Sequence, residues 1–395
     1  MSVFADLVGQ ERVVEQLQAA SADAARVVAG EPGATGAMTH AWLFTGPPGS
    51  GRSVAARAFA AALQCQMPSE PGCGHCEGCT QTLSGAHPDV ATIVPEGLHL
   101  GIKDAREVIL RSSRAPTRGR WQVTLIEDAD RMEERTSNTV LKALEEPPPH
   151  SVLLLCAPSV EDLLPTIRSR CRLALLRTPP SEAVARVLVQ RDGVDPAMAA
   201  FAAQVAQGHI GRAKRLATDE DARRERRDVL SLPRSLQGVG SAIAAARDLV
   251  QAAQAEAVTL TKDRDATEKE SLSNALGVGA TGKGITGGAR RSAGALKELE
   301  KRQKLRGTRT QRDALDRALV DLAAFYRDVL QLQLGTGAAL VHGDLGDQAA
   351  TIARATTAES TLRRIDAVLA CREALDANVA QLLAVESMAL ALRTG

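Results

Sequence analysis

The run Gly46-Pro47-Pro48-Gly49-Ser50-Gly51-Arg52-Ser53 constrains this chain more than any other feature, because it stands directly between the apolar run Trp42 to Thr45 and the helical run Val54 to Gln64. Strand, glycine loop and helix follow in the order of the phosphate-binding frame GxxxxGK[ST]. Glycines let successive backbone N–H groups turn inward around a phosphate, and the helix N-terminus adds a favourable dipole. On that reading Gly46, Gly49, Gly51, Arg52 and Ser53 are the nucleotide-binding set, with the Ser53 hydroxyl placed to ligate magnesium. The bland alternative is a Gly/Pro turn with no ligand. Further short apolar runs, Val90 to Val94, Val123 to Ile126, Val152 to Cys156 and Leu173 to Leu176, alternate with amphipathic stretches. That alternation predicts an α/β P-loop domain with a five-stranded parallel sheet, its ligands beyond the carboxyl ends of the strands.

Pro179-Pro180 closes this domain, since neither proline can donate to a sheet or continue a helix. With 395 residues, two or three domains are expected. We read 1–178 as the P-loop domain, 179–222 as a small helical lid and 223–395 as an all-helical domain. Lys and Arg (48) nearly balance Asp and Glu (47), so any attraction to nucleic acid must be local. One such place is a Gly-rich basic insertion at about 277–312, where Lys283 to Arg312 carries ten Lys or Arg against Glu298 and Glu300. It reads either as a solvated insertion, mobile at its start, or as a basic arm for DNA phosphates. No apolar run is long enough for a membrane span, and Met1 to Gly9 lacks a secretory pattern, so a cytoplasmic protein is expected. Aromatics, at 2%, are too few for a base-stacking surface.

Two positions depart from an active P-loop ATPase. Arg52 replaces the lysine, and a planar guanidinium does not fit between β and γ phosphates as a compact ammonium does. After the third strand comes Glu127-Asp128, where such ATPases carry an aspartate for magnesium and then a glutamate to polarise water. The swap displaces each carboxylate by about 1 Å, enough to cost on the order of 10²-fold in rate. The alternative is a pair of solvated acids at a strand end.

Cys65, Cys73, Cys76 and Cys79 have the spacing C-x7-C-x2-C-x2-C. Two overlapping CxxC elements aim sulfurs at one point, and Cys65 supplies a fourth from a helix end, which suits a structural tetrahedral zinc in a knuckle at 65–79. Free or redox thiols, or His75 in place of a sulfur, are the alternatives. Cys156 and Cys371 read as small buried apolar residues.

These motifs combine with Phe4-Ala5-Asp6-Leu7-Val8-Gly9-Gln10, His40-Ala41-Trp42-Leu43-Phe44, the run Ser137 to Pro148 containing Leu144-Glu145-Glu146-Pro147-Pro148, and Ser169-Arg170-Cys171. Together, over roughly residues 1–218, they resemble bacterial clamp-loader subunits of the AAA+ class. Within that class Arg52, the reversed acids, and Ala157-Pro158 where motor subunits place a sensor threonine resemble a stator rather than a motor. The resemblance implies a AAA+ domain, a lid and an all-α collar in a hetero-pentamer with ATPase motor subunits and a delta subunit. That assembly would act on a sliding clamp and primed DNA, with no membrane partner. It implies Arg170 as an arginine finger acting in trans and Arg212 as the lid's sensor arginine; a chain-internal ion pair and a plain helix-surface arginine are their alternatives. Arg168, two residues away, shares Arg170's face if the segment is extended. ATP and magnesium are expected in the neighbouring motors and disfavoured in this chain's own site. An active AAA+ ATPase is the competing reading. Phe325 and Tyr326 resemble a collar surface for a partner helix, or else belong to an ordinary core.

Overall fold

The computed structural model describes residues 2–31, 36–67, 69–276 and 286–395, the last without the side chains of 286–293. These residues form two compact units, Met1–Thr218 and Asp219–Gly395. In the first, β1 (Ala41–Thr45), β2 (Val90–Ile93), β3 (Gln122–Ile126), β4 (Ser151–Ala157) and β5 (Arg172–Leu175) make a sheet of order β2-β3-β4-β1-β5. Every pairing is parallel. Each strand coincides with a run expected from the sequence to within a residue at either end.

Helices cover both faces, as a parallel sheet requires. On one face Trp42, Phe44 and Phe59 pack together, Trp42 and Phe59 with ring centroids 4.9 Å apart, so the helix Arg52–Leu63 is pressed onto the sheet directly after the loop. On the other, Leu43, Ile126, Leu153 and Leu155 pack against Val108, Val140 and Leu144 of the helices Ile102–Ser112 and Glu134–Glu145. Three short helices, Ser181–Gln190, Pro196–Val205 and Ile210–Thr218, complete this unit.

Every element of the second unit among its described residues is a helix. Its core gathers Leu230, Leu319, Phe325, Tyr326, Val368 and Val385. Phe325 and Tyr326 are 0% and 1% exposed and pack edge to face, so they are core residues and offer no surface to a partner helix. Arg226 is also buried, with both terminal nitrogens on the Asp344 carboxylate at 2.8 Å and one also on His342 Nδ1. The helix Thr286–Leu334 runs through most of the basic insertion, whose glycine-rich start at 277–285 lies outside the described residues.

A buried carboxylate ties the strand starts together. Asp89, 1% exposed just before β2, accepts from the backbone N–H of Thr117, Arg118 and Gly119 and from the Thr117 hydroxyl. Burial alone would raise its pKa, but these hydrogen bonds outweigh it and hold the group at about 2. A depressed folded-state pKa contributes stability that is complete above about pH 4 and lost as pH falls towards about 2. Asp89→Asn should therefore lower stability near neutral pH by about 2 kcal/mol and flatten the acid limb of the stability curve, read by thermal melts across pH. An unchanged acid limb would remove Asp89 from that role.

Candidate nucleotide site and metal centre

The loop after β1 has the backbone its glycines predict. Gly51, at φ 91°, is the N-cap of Arg52–Leu63, and Gly49 stands at φ 84°. A Cβ on Gly49 would lie 2.5 Å from His209 Cβ, so only glycine lets the third short helix approach the loop this closely. The loop residues 49–54, His209, Arg191 and the N-terminal segment Asp6-Leu7-Val8 enclose a cavity of about 400 Å³. Asp6 and Arg191 close it with an ion pair at 3.2 Å.

Gln10, 4% exposed, fastens three elements here. Its Nε2 donates to the Ser50 carbonyl (3.3 Å) and the Arg177 carbonyl (2.6 Å), while its Oε1 accepts from the Arg177 N–H (3.0 Å). The sequence placed Gln10 within a motif but gave it no part to play.

Arg52 stands at the lysine position, and its Nη1 donates to the Gly46 carbonyl at 2.8 Å, so the side chain folds back on its own loop. Ser53 begins the same helix. The acids behave unequally. Glu127 Oε1 accepts from Arg57 Nη2 at 3.0 Å, and Asp128 occupies the left-handed region at φ 50°. Asp130, which the sequence did not single out, has a buried Oδ1 without a hydrogen-bond partner among the described residues. Burial, then the Asp128 charge, raises its pKa, with Arg52 opposing. The cradle backbone fits a phosphate; the Arg52 and Glu127 side chains are committed to groups of this chain.

Arg170 lies one residue after the Ser169 cap of the short helix Pro165–Arg168. Arg168 is therefore in a helical turn, and the extended geometry that would align it with Arg170 is not formed. Arg170 Nη1 donates to the Thr166 carbonyl (2.9 Å), and Nη2 pairs with Glu145 Oε1 (2.8 Å) at the end of Glu134–Glu145. Both side chains are at the surface, 38% and 50% exposed. Arg212 sits in the first turn of Ile210–Thr218, where its N–H donates to His209 Nδ1 at 3.2 Å.

The four cysteines converge as their spacing predicts. All Sγ atoms lie within 4.8 Å of one another, and Cys65 and Cys76 are 3.9 Å apart. Tetrahedral zinc at about 2.3 Å from sulfur needs edges of about 3.8 Å, so the donor set fits the metal. His75 turns its Nδ1 to the Cys73 carbonyl at 3.1 Å. The turn is tight enough that a Cβ on Gly78 would lie 2.1 Å from the Gln64 carbonyl oxygen. The knuckle is bonded to the chain start through the Val3 N–H and the Gly72 carbonyl (2.9 Å), and a Cβ on Gly72 would crowd Val3 and Phe4. Cys156 and Cys371 are buried away from this cluster, as expected.

A glycine loop between β1 and its helix, on a parallel sheet of order β2-β3-β4-β1-β5, with short helices against the loop, defines a P-loop protein of the AAA+ class. Residues 30–180 match the family described as DNA polymerase III, delta subunit. The DNA polymerase III subunit delta' of Escherichia coli is 38% identical over 146 residues, 36% of this chain and 44% of that one. The subunit gamma/tau of Mycobacterium bovis is 33% identical over 189 residues, 47% of this chain and 31% of its own. A DNA polymerase III gamma subunit-related protein of Thermotoga maritima aligns over 95% of this chain and 98% of its own, at 16% identity and a TM-score of 0.39, a likeness that supports no functional reading. Within its first unit the chain is similar to DNA polymerase III subunits, and it spans less than half the length of these curated relatives. Among the described residues no helix is long and apolar enough to cross a membrane.

Metal analysis of protein purified without chelator should find about one zinc per chain. Cys76→Ser should lower the metal content and the melting temperature together, because metal binding and local folding are coupled. Protein free of zinc with an unchanged melt would refute the assignment.

Proposed function

We propose that this chain is the delta-prime, or stator, subunit of a DNA polymerase III clamp loader, with residues 179–222 as its lid and 223–395 as its collar. The single observation that supports a stator over a motor is the Arg52 guanidinium bonded to the Gly46 carbonyl, inside the loop that would hold phosphates. A motor needs that position to reach the β and γ phosphates. The Arg57–Glu127 pair supports the same reading, since Glu127 stands at the magnesium position and a carboxylate held by a guanidinium is a poor ligand for the ion.

In this proposal the motors bind ATP and magnesium, and Arg170 completes the site of an adjacent motor, stabilising charge on the transferred phosphoryl group. The Glu145 pair holds the side chain at the surface with its guanidinium partly exposed, and a phosphate would compete with one carboxylate for it. Delta, the motors, the sliding clamp and primed DNA are the partners this function requires. The decisive test mixes this chain with candidate loader subunits and asks for a stable complex whose ATP hydrolysis depends on its presence. Vigorous hydrolysis by the isolated chain would favour an active ATPase and sink the stator.

Two substitutions sharpen the test. Arg52→Lys should free the Gly46 carbonyl and raise affinity for a fluorescent ATP analogue by roughly tenfold, about the worth of one charged hydrogen bond; equal binding by both forms counts against self-occlusion. Arg170→Ala should leave the complex assembled, by size-exclusion chromatography, and cut its DNA-stimulated turnover by about tenfold or more. Undiminished turnover removes Arg170 from the mechanism.

A further inference from the structure

The helices Val239–Ala275 and Thr286–Leu334 pack side by side beyond the core of the second unit, and their charges are sorted by type. Arg306 is buried in the seam, where it reaches Asp265 Oδ1 at 2.7 Å and both Glu268 oxygens at 3.0 Å. Arg264 also pairs with Glu268 at 3.0 Å, and Arg317 with Glu256 at 2.7 Å. The acids of the first helix that face the second are thus neutralised by arginines within the pair.

The lysines do the opposite. Lys297, Lys301 and Lys304 are all exposed, and their ammonium groups form no ion pair or hydrogen bond among the described residues. Their spacing of four and three residues places them on one face of the helix. Leu299 and Arg306, the buried residues of this stretch, mark the opposite face. Glu298 and Glu300 flank the stripe, and Glu300 lies 3.8 Å from Lys269 of the neighbouring helix. At 1.5 Å per residue the three ammonium groups extend over roughly 10 Å, a length that spans about three phosphates of one DNA strand.

We propose that the stripe Lys297, Lys301 and Lys304 is a docking surface for the phosphate backbone of duplex DNA. Lysine, a compact and strongly hydrated charge on a flexible stem, suits contacts that read charge and not sequence. Single strands are held by stacking on aromatic rings, and residues 239–312 contain no Phe, Trp or Tyr. A rigid helix face with the charges in register and no ring beside them fits a duplex. The surface belongs to this chain alone and does not depend on its being a stator.

The test is the salt dependence of binding by the full chain to a fluorescently labelled DNA duplex, followed by anisotropy. The triple variant K297Q/K301Q/K304Q should flatten the slope of log affinity against log salt by about 2.7, three phosphates at roughly 0.9 each. The triple Lys→Arg variant should keep the parent slope. A variant losing the same charge elsewhere, R114Q/R354Q/R393Q, should also keep it. The proposal is overturned if the parent does not bind the duplex, if the two Gln triples weaken it equally, or if the stripe variant keeps the parent slope. Loss of binding to phosphatidylglycerol vesicles with duplex binding intact would likewise overturn it, in favour of a lipid surface. Matching circular dichroism melts for all variants exclude unfolding as the cause.

Discussion

A parallel sheet with both faces covered can present chemistry only at the ends of its strands. β1 and β4 are buried along their whole length, so the residues that can meet a ligand are those in the loops that follow them. That constraint turns the eight residues after β1 into the centre of the first unit. It also explains why three distant segments close on the same place. Gln10 reaches Ser50 and Arg177, Asp6 reaches Arg191, and His209 rests against Gly49. Each contact crosses the mouth that the sheet leaves open.

Arginine determines much of what happens around that mouth and beyond it. Arg52, Arg57, Arg170, Arg226 and Arg306 all meet acceptors of their own chain. The planar fork makes this geometry inexpensive in side-chain entropy, which is why an arginine in a lysine's position is a change of chemistry and not a conservative swap. The buried members, Arg226 and Arg306, are anchored by carboxylates from helices far along the chain. The exposed members, Arg57 and Arg170, each pair with one carboxylate near the surface, where such a pair is worth little and exchanges readily.

Much of this was legible in the sequence because the signals are local. Five apolar runs became five strands, the glycine frame became a loop with the expected positive φ values, and four cysteines with short spacing converged on one point. What stayed hidden depends on partners far apart in sequence. Gln10 lies 167 residues from Arg177, and nothing in either neighbourhood announces the pair. The Arg52–Gly46 bond is a rotamer choice that composition does not encode. Asp130 gives no sequence signal beside Glu127 and Asp128, and only the short 3-10 turn over Ala129–Arg131 brings one of its oxygens into the interior. Phe325 and Tyr326 carried an ambiguous helical pattern, and only the packing of the surrounding helices decides that they face inward.

The stretch Val3 to Val8 serves two masters. At one end its Val3 N–H and the Phe4 ring are seated on the cysteine knuckle through Gly72. At the other, Asp6, Leu7 and Val8 form part of the wall around the glycine loop. One short run of main chain is thus fastened at both ends, to the knuckle by Val3 and to Arg191 by Asp6, so the fold seats the cysteines and lines the cleft with the same few residues.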